Sequence, residues 1–307
     1  MAFDKKELKR IRQMLIRHVC SHAVEKEVFE AYVPENDEDF GPTTIEKQTG
    51  KYMWVKEYRG KKIAEYPVFT DDELDERYNG YGYLLEKRSE MFVNTEGGAY
   101  TIITDVKSML EFEETTGKSL GLVLDNYPFY YVVADLVEGE NGNRFRYVRV
   151  IHITKGAGGT VMIPLLEREG KEPLIGIIDV YRHSIRDFSH GELPRGFLEI
   201  GLTEEENAAK ELYEEFGIEK SAIKECVLIG RSRPDTGIMS SEVGFYLVKI
   251  NGGEINANIG HEGIKGSCWV SEGELDGMIE NGVIKDGFTQ SAMLFYKLYK
   301  AKNTRSL

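Results

Sequence analysis

The pattern of hydrophobic and polar positions gives the first part of the chain a mixed character. Apolar residues at helical spacing predict a helix over 4–19. Residues 34–50 are polar and contain proline and glycine, which predicts a loop. The acidic residues after Thr70 are typical of the start of a helix. A strand is predicted over 101–105 and a further helix over 107–116.

From about residue 127 the pattern favours strands. Four stretches are rich in β-branched and aromatic residues, and turns with glycine or asparagine separate them, which predicts an antiparallel series linked by hairpins. The stretches are 129–133, 145–151, 160–166 and 174–180, and the turns include 140–143 and 156–159.

Helices and strands then mix without regular βαβ alternation. Helices are predicted over 204–216, 271–281 and 286–301, and strands over 225–231 and 242–250. This order predicts an α+β fold or a sandwich. Because the chain has 307 residues, two domains are expected, with a boundary near residue 124.

Composition narrows the classes of function. The net charge of −13 argues against a general binder of nucleic-acid polymers. No apolar run reaches the roughly 20 residues that cross a bilayer, so no membrane partner is expected. Cys20, Cys226 and Cys268 show no paired spacing, which indicates neither disulfides nor a zinc ribbon and favours the cytoplasm.

The predicted helix over 204–216 carries the most informative chemistry. Thr203 and Glu206 have the spacing of a capping box, and Gly217 can end the helix. Glu211 and Glu215 lie at i and i+4, so their carboxylates lie on one side of the helix and repel each other. A hard cation such as Mg²⁺ takes oxygen ligands and would relieve that repulsion. The simpler interpretation is an exposed acidic helix with solvated charges.

The stretch from Gly196 to Ile218 resembles a Nudix box, G-x(5)-E-x(7)-R-E-U-x-E-E-x-G-U, in which U is a bulky aliphatic residue. Gly196 matches the first glycine, and the second half of the pattern matches throughout: Glu211, Leu212, Glu214, Glu215, Gly217 and Ile218. Two positions depart from it, because Leu202 replaces a glutamate and Lys210 replaces an arginine. In the family those two residues pair and brace the loop against the helix, so the bracing is expected to be altered here.

Flanking segments are similar to those of ADP-ribose pyrophosphatase-like Nudix hydrolases over about residues 125–307. The resemblance implies that Arg182, Arg195 and Glu242 contact substrate. It implies metal binding by Glu199, Glu211 and Glu215, with a further main-chain contact from Arg195. It assigns the catalytic step to Glu214 and to a glutamate on a loop, for which Glu262 is the nearest candidate and His261 and Glu254 are rivals.

The resemblance implies a Nudix-like α/β/α sandwich with a mixed sheet over 125–307, after a smaller mixed domain of unknown role over 1–124. It implies an Mg²⁺-dependent pyrophosphohydrolase, with Mn²⁺ as an alternative cation, that cleaves ADP-ribose or a related nucleotide sugar. It also implies a homodimer. Two alternatives stay open: a Nudix-like binding module without turnover, and a nucleoside-triphosphate pyrophosphohydrolase. Aromatic residues such as Phe129 and Tyr130 could stack on a nucleobase, although core positions explain them more simply.

Overall fold

The computed structural model describes residues 28–31, 43–48, 51–58, 61–67, 71–251 and 261–304. The strands are β1 (Val28–Ala31), β2 (Thr43–Gln48), β3 (Lys51–Tyr58), β4 (Lys61–Pro67), β5 (Tyr100–Ile103), β6 (Gly121–Asn126), β7 (Tyr130–Gly139), β8 (Arg144–His152), β9 (Ala157–Arg168), β10 (Lys171–Arg182), β11 (Asp187–Glu192), β12 (Arg195–Phe197), β13 (Ile223–Ser232), β14 (Glu242–Ile250) and β15 (Ile264–Val270). The helices are α1 (Asp71–Lys87), α2 (Val106–Thr116), α3 (Glu204–Phe216), α4 (Glu272–Glu280) and α5 (Gly287–Thr304).

The chain divides into two compact units, one of residues 1–125 with 131–149 and the other of 126–130 with 150–307. The predicted domains 1–124 and 125–307 stay a prediction. The first unit contains an antiparallel sheet in the order β1-β2-β3-β4 and a second sheet in the order β5-β7-β6, with β8 paired to β7.

A buried polar contact fixes α1 in the first unit. Tyr81 is fully buried, and its hydroxyl donates to Asp135 Oδ1 at 2.5 Å. Arg149 Nε donates to the other oxygen of the same carboxylate at 2.5 Å. Buried polar atoms need such partners because they have lost water, so this network specifies how α1 packs on the strands that carry Asp135 and Arg149.

The second unit is built on a seven-stranded sheet in the order β11-β10-β9-β14-β13, with β12 paired to β9 and β15 paired to β10. β14 runs parallel to β9, whereas the other pairings are antiparallel, so the sheet is mixed. Side chains alternate between its faces. Val161, Ile163 and Leu165 pack with α4 and α5, and Met162 packs with α3.

Helices therefore cover both faces of a mixed sheet, and the predicted α+β, Nudix-like α/β/α sandwich is confirmed.

Two local predictions are wrong. Residues 43–48 form β2 within the predicted loop, because Thr43, Thr44 and Ile45 are β-branched and favour a strand despite the polar surroundings. The glycines of 156–159 make no hairpin, since β8 and β9 belong to different sheets.

Two predictions fall outside the part of the chain that the structure describes, namely the helix over 4–19 and the cap at Thr70. The helix predicted after Thr70 is present as α1. None of the described helices is both long and apolar enough to cross a membrane.

Candidate active site

Helix α3 begins and ends where its capping residues predict. The Glu206 amide donates to Thr203 Oγ1 at 3.2 Å, and the Thr203 amide donates to Glu206 Oε2 at 3.0 Å, which completes the capping box. Gly217 ends the helix with φ of 67°, in the left-handed region that glycine adopts without strain. The caps fix the helix register, and hence the direction in which each glutamate points.

One side of α3 buries polar side chains against the sheet. Asn207, Glu211 and Glu215 lie at successive turns and are 0%, 7% and 3% exposed. An apolar line of Ala208, Leu212 and Phe216 runs beside them into the core. Burial of two carboxylates is costly without compensation, so the simpler interpretation of a solvated acidic helix is wrong for Glu211 and Glu215.

A row of small residues in the sheet makes room for this polar side. Gly196, Thr160 and Gly244 lie next to one another on β12, β9 and β14. A Cβ atom on Gly196 would lie 2.0 Å from the Glu211 carboxylate, and one on Gly244 would lie 2.6 Å from Glu204 Oε2. Glycine at Gly196 is therefore required so that the Glu211 carboxylate can lie directly on the backbone of β12.

Asn207 is a site residue that the sequence reasoning missed. Its Nδ2 donates to Thr160 Oγ1 at 3.0 Å, and its Oδ1 accepts from the Glu199 amide at 3.1 Å. It thus joins α3 to both β9 and the loop after β12. The available signal was a poor helix former inside the buried stripe of the helix.

Burial raises the pKa values of the two inner carboxyl groups. Glu211 has a pKa raised to about 7, chiefly by loss of water, while Lys210 acts in the opposite direction. The pKa of Glu215 is raised to about 8, again chiefly by burial, although the Arg195 amide donates to its Oε2 at 2.9 Å and favours the ionised form. Each shift marks a carboxylate that a bound cation would stabilise.

Glu262 is exposed on a turn near α3. Its φ of 45° and ψ of 28° are uncommon for a residue other than glycine. Its charge contributes to the raised pKa of both Glu211 and Glu215, so it lies within electrostatic range of the pair. Of its rivals, Glu254 is outside the described residues, and the side chain of His261 is too.

Lys210 lies beside the carboxylates and pairs with two of them. Its Nζ is 2.5 Å from Glu214 Oε2 and 3.2 Å from Glu199 Oε1. Leu202, the other position at which the box departs from the family pattern, is half-buried and donates its amide to the Glu199 carbonyl at 3.3 Å. Glu199, assigned to metal from the sequence, is thus bound to an ammonium group here.

The two predicted substrate arginines share a buried carboxylate. Arg182 Nη2 is 2.5 Å and Arg195 Nη2 is 3.3 Å from Glu192 Oε2. Burial acts to raise the pKa of Glu192, but the hydrogen bond from Arg182 and the charge of Arg195 outweigh it and lower the pKa. Arg195 also lies 3.4 Å from Asp286 and over the ring of Phe288. Glu192 was not predicted as a site residue, because its contacts with the two arginines depend on how the strands pair.

Glu242, the third predicted substrate contact, begins β14. Its Oε1 lies 3.1 Å from Arg233 Nη2, and both side chains are substantially exposed. In the sheet Glu242 pairs with Ala157, at the same end of β9 as Gly159 and Thr160. The fold therefore brings Glu242 to the sheet end that carries Gly196, while its contact with substrate stays a prediction.

The residues present fit a hard divalent cation. Within the described ranges no three His, Cys, Asp or Glu side chains form a complete metal site by themselves. Glu211 and Glu215 supply two buried carboxylates, and a bound cation would stabilise their ionised forms. Gly196 has no side chain, so the Glu211 carboxylate can lie against the backbone of β12. Oxygen donors suit Mg²⁺ or Mn²⁺, which complete their coordination with water or substrate.

A family model identifies the domain that the second unit contains. The second unit is an α/β/α sandwich with a helix that carries glutamates on one face. The NUDIX domain model matches residues 157–288 of it. Those residues therefore match a NUDIX domain, and the match covers less than half of the chain. The crystal structure of an ADP compounds hydrolase is similar at 13% identity and a TM-score of 0.44, covering 61% of this chain and 94% of that chain. No curated protein matched.

Proposed function

We propose that the chain is a divalent-metal-dependent pyrophosphohydrolase acting on a nucleoside-diphosphate-linked compound, with ADP-ribose or a related nucleotide sugar as the first candidate. The observation that carries the proposal is the buried pair of Glu211 and Glu215, directly beside a glycine whose missing side chain leaves room for the Glu211 carboxylate. A pair of neutral side chains would stabilise the fold better than two buried carboxylates with raised pKa values. The carboxylates therefore favour a role in binding a cation.

Mg²⁺ is the proposed cation, and Mn²⁺ is the proposed substitute. When bound, the cation would offset the charge of the diphosphate and make a water molecule a better nucleophile. Glu211 and Glu215 would hold it through their carboxylate oxygens. The requirement for a cation also follows from the net charge of −13, which by itself repels an anionic substrate.

Glu262 is the proposed acceptor of the proton from the attacking water. The water oxygen forms a new bond to one phosphorus, the bond from that phosphorus to the bridging oxygen breaks, and the bridging oxygen leaves with the second phosphate. Two monophosphates result. Support comes from the exposed position of Glu262 close to both helix carboxylates and from its uncommon backbone conformation, a kind of strain found at functional sites. Glu214, proposed to assist, pairs with Lys210.

Arg182 and Arg195 are proposed to face the diphosphate, and Glu242 the rest of the substrate. The charge of Arg182 acts to lower the pKa of Glu215, which supports its nearness to the metal-binding pair. Glu192 holds both guanidinium groups in fixed orientations. Because the guanidinium groups are already held in place, less entropy is lost when a flexible diphosphate binds to them.

A cluster of rings supports a nucleoside as part of the substrate. Phe197, next to Gly196, lies 5.2 Å from Phe129 and 5.4 Å from His152 between ring centroids. Phe129 and Phe197 are each 42% exposed, and exposed rings can stack on a base. Neighbouring strand residues alternate in direction, so Phe197 faces away from Glu211. A substrate that touches both would pass around the end of β12, which ends at Phe197.

The experiment is a panel of compounds incubated with Mg²⁺, with products separated by chromatography. We expect ADP-ribose or a nucleotide sugar to give two monophosphates.

Phe197→Ala should raise KM for these compounds by about 5- to 100-fold and leave unchanged the KM of a diphosphate sugar without a base. Tyr100→Ala, a 53% exposed ring in the first unit, is the control. Release of pyrophosphate from nucleoside triphosphates alone would instead favour the triphosphate enzyme.

The second candidate is a nucleotide-binding module without turnover, which the departures at Leu202 and Lys210 favour. Lys210 is nevertheless paired with Glu199 and Glu214. Glu211 and Glu215 are both buried on the same side of α3. Tight binding of a nucleotide with no product from any compound would establish the module.

A cytoplasmic homodimer is also proposed. Cys226 and Cys268 are free thiols in the structure, which is compatible with a reducing compartment. The dimer rests on the resemblance to ADP-ribose-type enzymes. Light scattering coupled to gel filtration should give twice the chain mass of 34.9 kDa, and a single-chain mass at micromolar concentration would contradict the dimer.

A further inference from the structure

Glu199, in the loop between β12 and α3, makes two contacts to the helix. Its amide donates to Asn207 Oδ1 at 3.1 Å, and its carboxylate lies 3.2 Å from Lys210 Nζ. Asn207 and Lys210 are three residues apart on α3, so both contacts are made to neighbouring turns. The same loop turns back at Leu202, whose amide donates to the Glu199 carbonyl at 3.3 Å.

We infer that the ion pair of Lys210 with Glu199 is the brace of this site, and that Glu199 acts through Lys210 and is not a ligand of the cation. The inference rests on the proposed function for the identity of the cation, although the brace itself exists without turnover. Leu202 has no charge to pair with Lys210, and the carboxylate that the ammonium reaches lies three residues earlier, on the same loop.

Electrostatics argues against a second role for Glu199. A divalent cation on its carboxylate would lie close to the Lys210 ammonium, and like charges at such short range repel. Lys210 is 33% exposed and also holds Glu214, so its position is fixed by two carboxylates. Glu211 and Glu215, by contrast, have no ion pair to a lysine or arginine among the described contacts and are the donors left for a cation.

Lysine suits this arrangement better than arginine. Its ammonium is a compact charge that can lie between two carboxylates approaching from different directions, whereas a guanidinium prefers one carboxylate in the plane of its fork. Glu199 and Glu214 approach from the loop and from the helix. Lys210 is thus a positioning residue: it sets the distance between the loop after Gly196 and the helix that carries Glu211 and Glu215.

The test is a double-mutant cycle on Mn²⁺ binding, measured by electron paramagnetic resonance in the absence of substrate. The proteins are the wild type, Glu199→Gln, Lys210→Met and the double variant. Each single change should weaken Mn²⁺ binding by about 2- to 5-fold, the scale of a partly exposed ion pair. The double variant should match Lys210→Met within twofold, since Glu199 acts only through the lysine.

Thermal unfolding of the same four proteins in EDTA gives a readout without metal or activity. The melting temperatures should show the same coupling between the changes at Glu199 and Lys210. In the Mn²⁺ titration, Lys210→Arg should retain more than half of the wild-type affinity. The control pair is Lys224→Met with Glu167→Gln, an exposed ion pair at 3.3 Å on the same sheet, which should leave Mn²⁺ binding unchanged.

Two results would overturn the inference. If Glu199→Gln weakened Mn²⁺ binding equally in the Lys210→Met background, Glu199 would be an independent ligand. If neither single change altered Mn²⁺ binding or unfolding, the pair would brace nothing. Failure of the proposed function is a separate result, because wild-type protein that hydrolyses no substrate still gives a readable cycle.

Discussion

At the scale of single residues, the site depends on a side chain that is absent. Gly196 lies under the Glu211 carboxylate so closely that a Cβ atom would be 2.0 Å from Cδ and Oε1. Glu211 is buried between α3 and the sheet, so its carboxylate lies directly against this glycine. The identity of one strand residue thus fixes where a helix carboxylate lies.

Gly196→Ala should displace the Glu211 carboxylate and weaken Mn²⁺ binding by at least about tenfold, with a parallel fall in kcat. Calorimetric titration with Mn²⁺ measures the first effect. Gly266→Ala is the matched control, because a Cβ there has no neighbour within 4 Å. Equal affinities for the two variants would show that the close contact at Gly196 has no role in the site.

The sequence was sufficient to predict Glu211 and Glu215 as a pair, because i and i+4 spacing on a capped helix defines their side. It could not predict that Arg182 and Arg195 share Glu192. That contact depends on the register of β10 with β11, which is set by packing across the sheet and leaves no mark in the local sequence.

At the scale of the elements, α3 lies on β12, β9 and β14 through polar contacts as well as apolar ones. Asn207 bonds to Thr160, and Glu204 accepts from the Tyr246 hydroxyl at 2.8 Å and from Arg231 at 2.7 Å. These contacts specify the position of the helix more narrowly than apolar packing alone, because each needs a partner at a defined distance.

Asn207→Ala should lower the free energy of unfolding by about 1–3 kcal/mol, since it leaves a buried hydroxyl and the Glu199 amide without their partner. Urea denaturation measures the change. Asn281→Ala, which removes one exposed side-chain hydrogen bond to Gly277, should cost less than about 1 kcal/mol. An Asn207→Ala protein as stable as the wild type would mean that the amide contributes nothing to the position of α3.

Sequence periodicity and capping residues located α2, α3 and α5 within a few residues of their observed bounds. Short strands such as β12 were not predicted, because three residues carry too little pattern. The parallel pairing of β14 with β9 was not predicted either, since it joins residues about 80 apart in sequence.

At the scale of the whole molecule, the buried carboxyl groups link stability to pH. Glu211 and Glu215 have pKa values of about 7 and about 8, above the ordinary value of 4.5. At these two groups the folded protein therefore binds more protons than the unfolded chain across that range. Their contribution to stability falls as pH rises from about 4.5 through about 8, and a bound cation opposes the fall.

In EDTA we expect the melting temperature to decrease between pH 5.5 and pH 8.5, and to decrease less with Mg²⁺ present. Glu215→Gln should flatten the profile in EDTA, because the amide does not titrate. Glu205→Gln, at an exposed position of the same helix, should leave the slope as it is in the wild type. A wild-type melting temperature that rises over this range would contradict burial of the pair.

Mn²⁺ titration paired with a rate measurement shows whether Glu211 and Glu215 hold the divalent cation on which hydrolysis is proposed to depend. Glu215→Gln should weaken Mn²⁺ binding by at least about 30-fold and lower the rate of ADP-ribose cleavage by about 10²- to 10⁴-fold. Glu205→Gln, with the same change of charge on an exposed position, should retain both properties. Unchanged Mn²⁺ affinity and turnover in Glu215→Gln would contradict a metal-binding role for this pair.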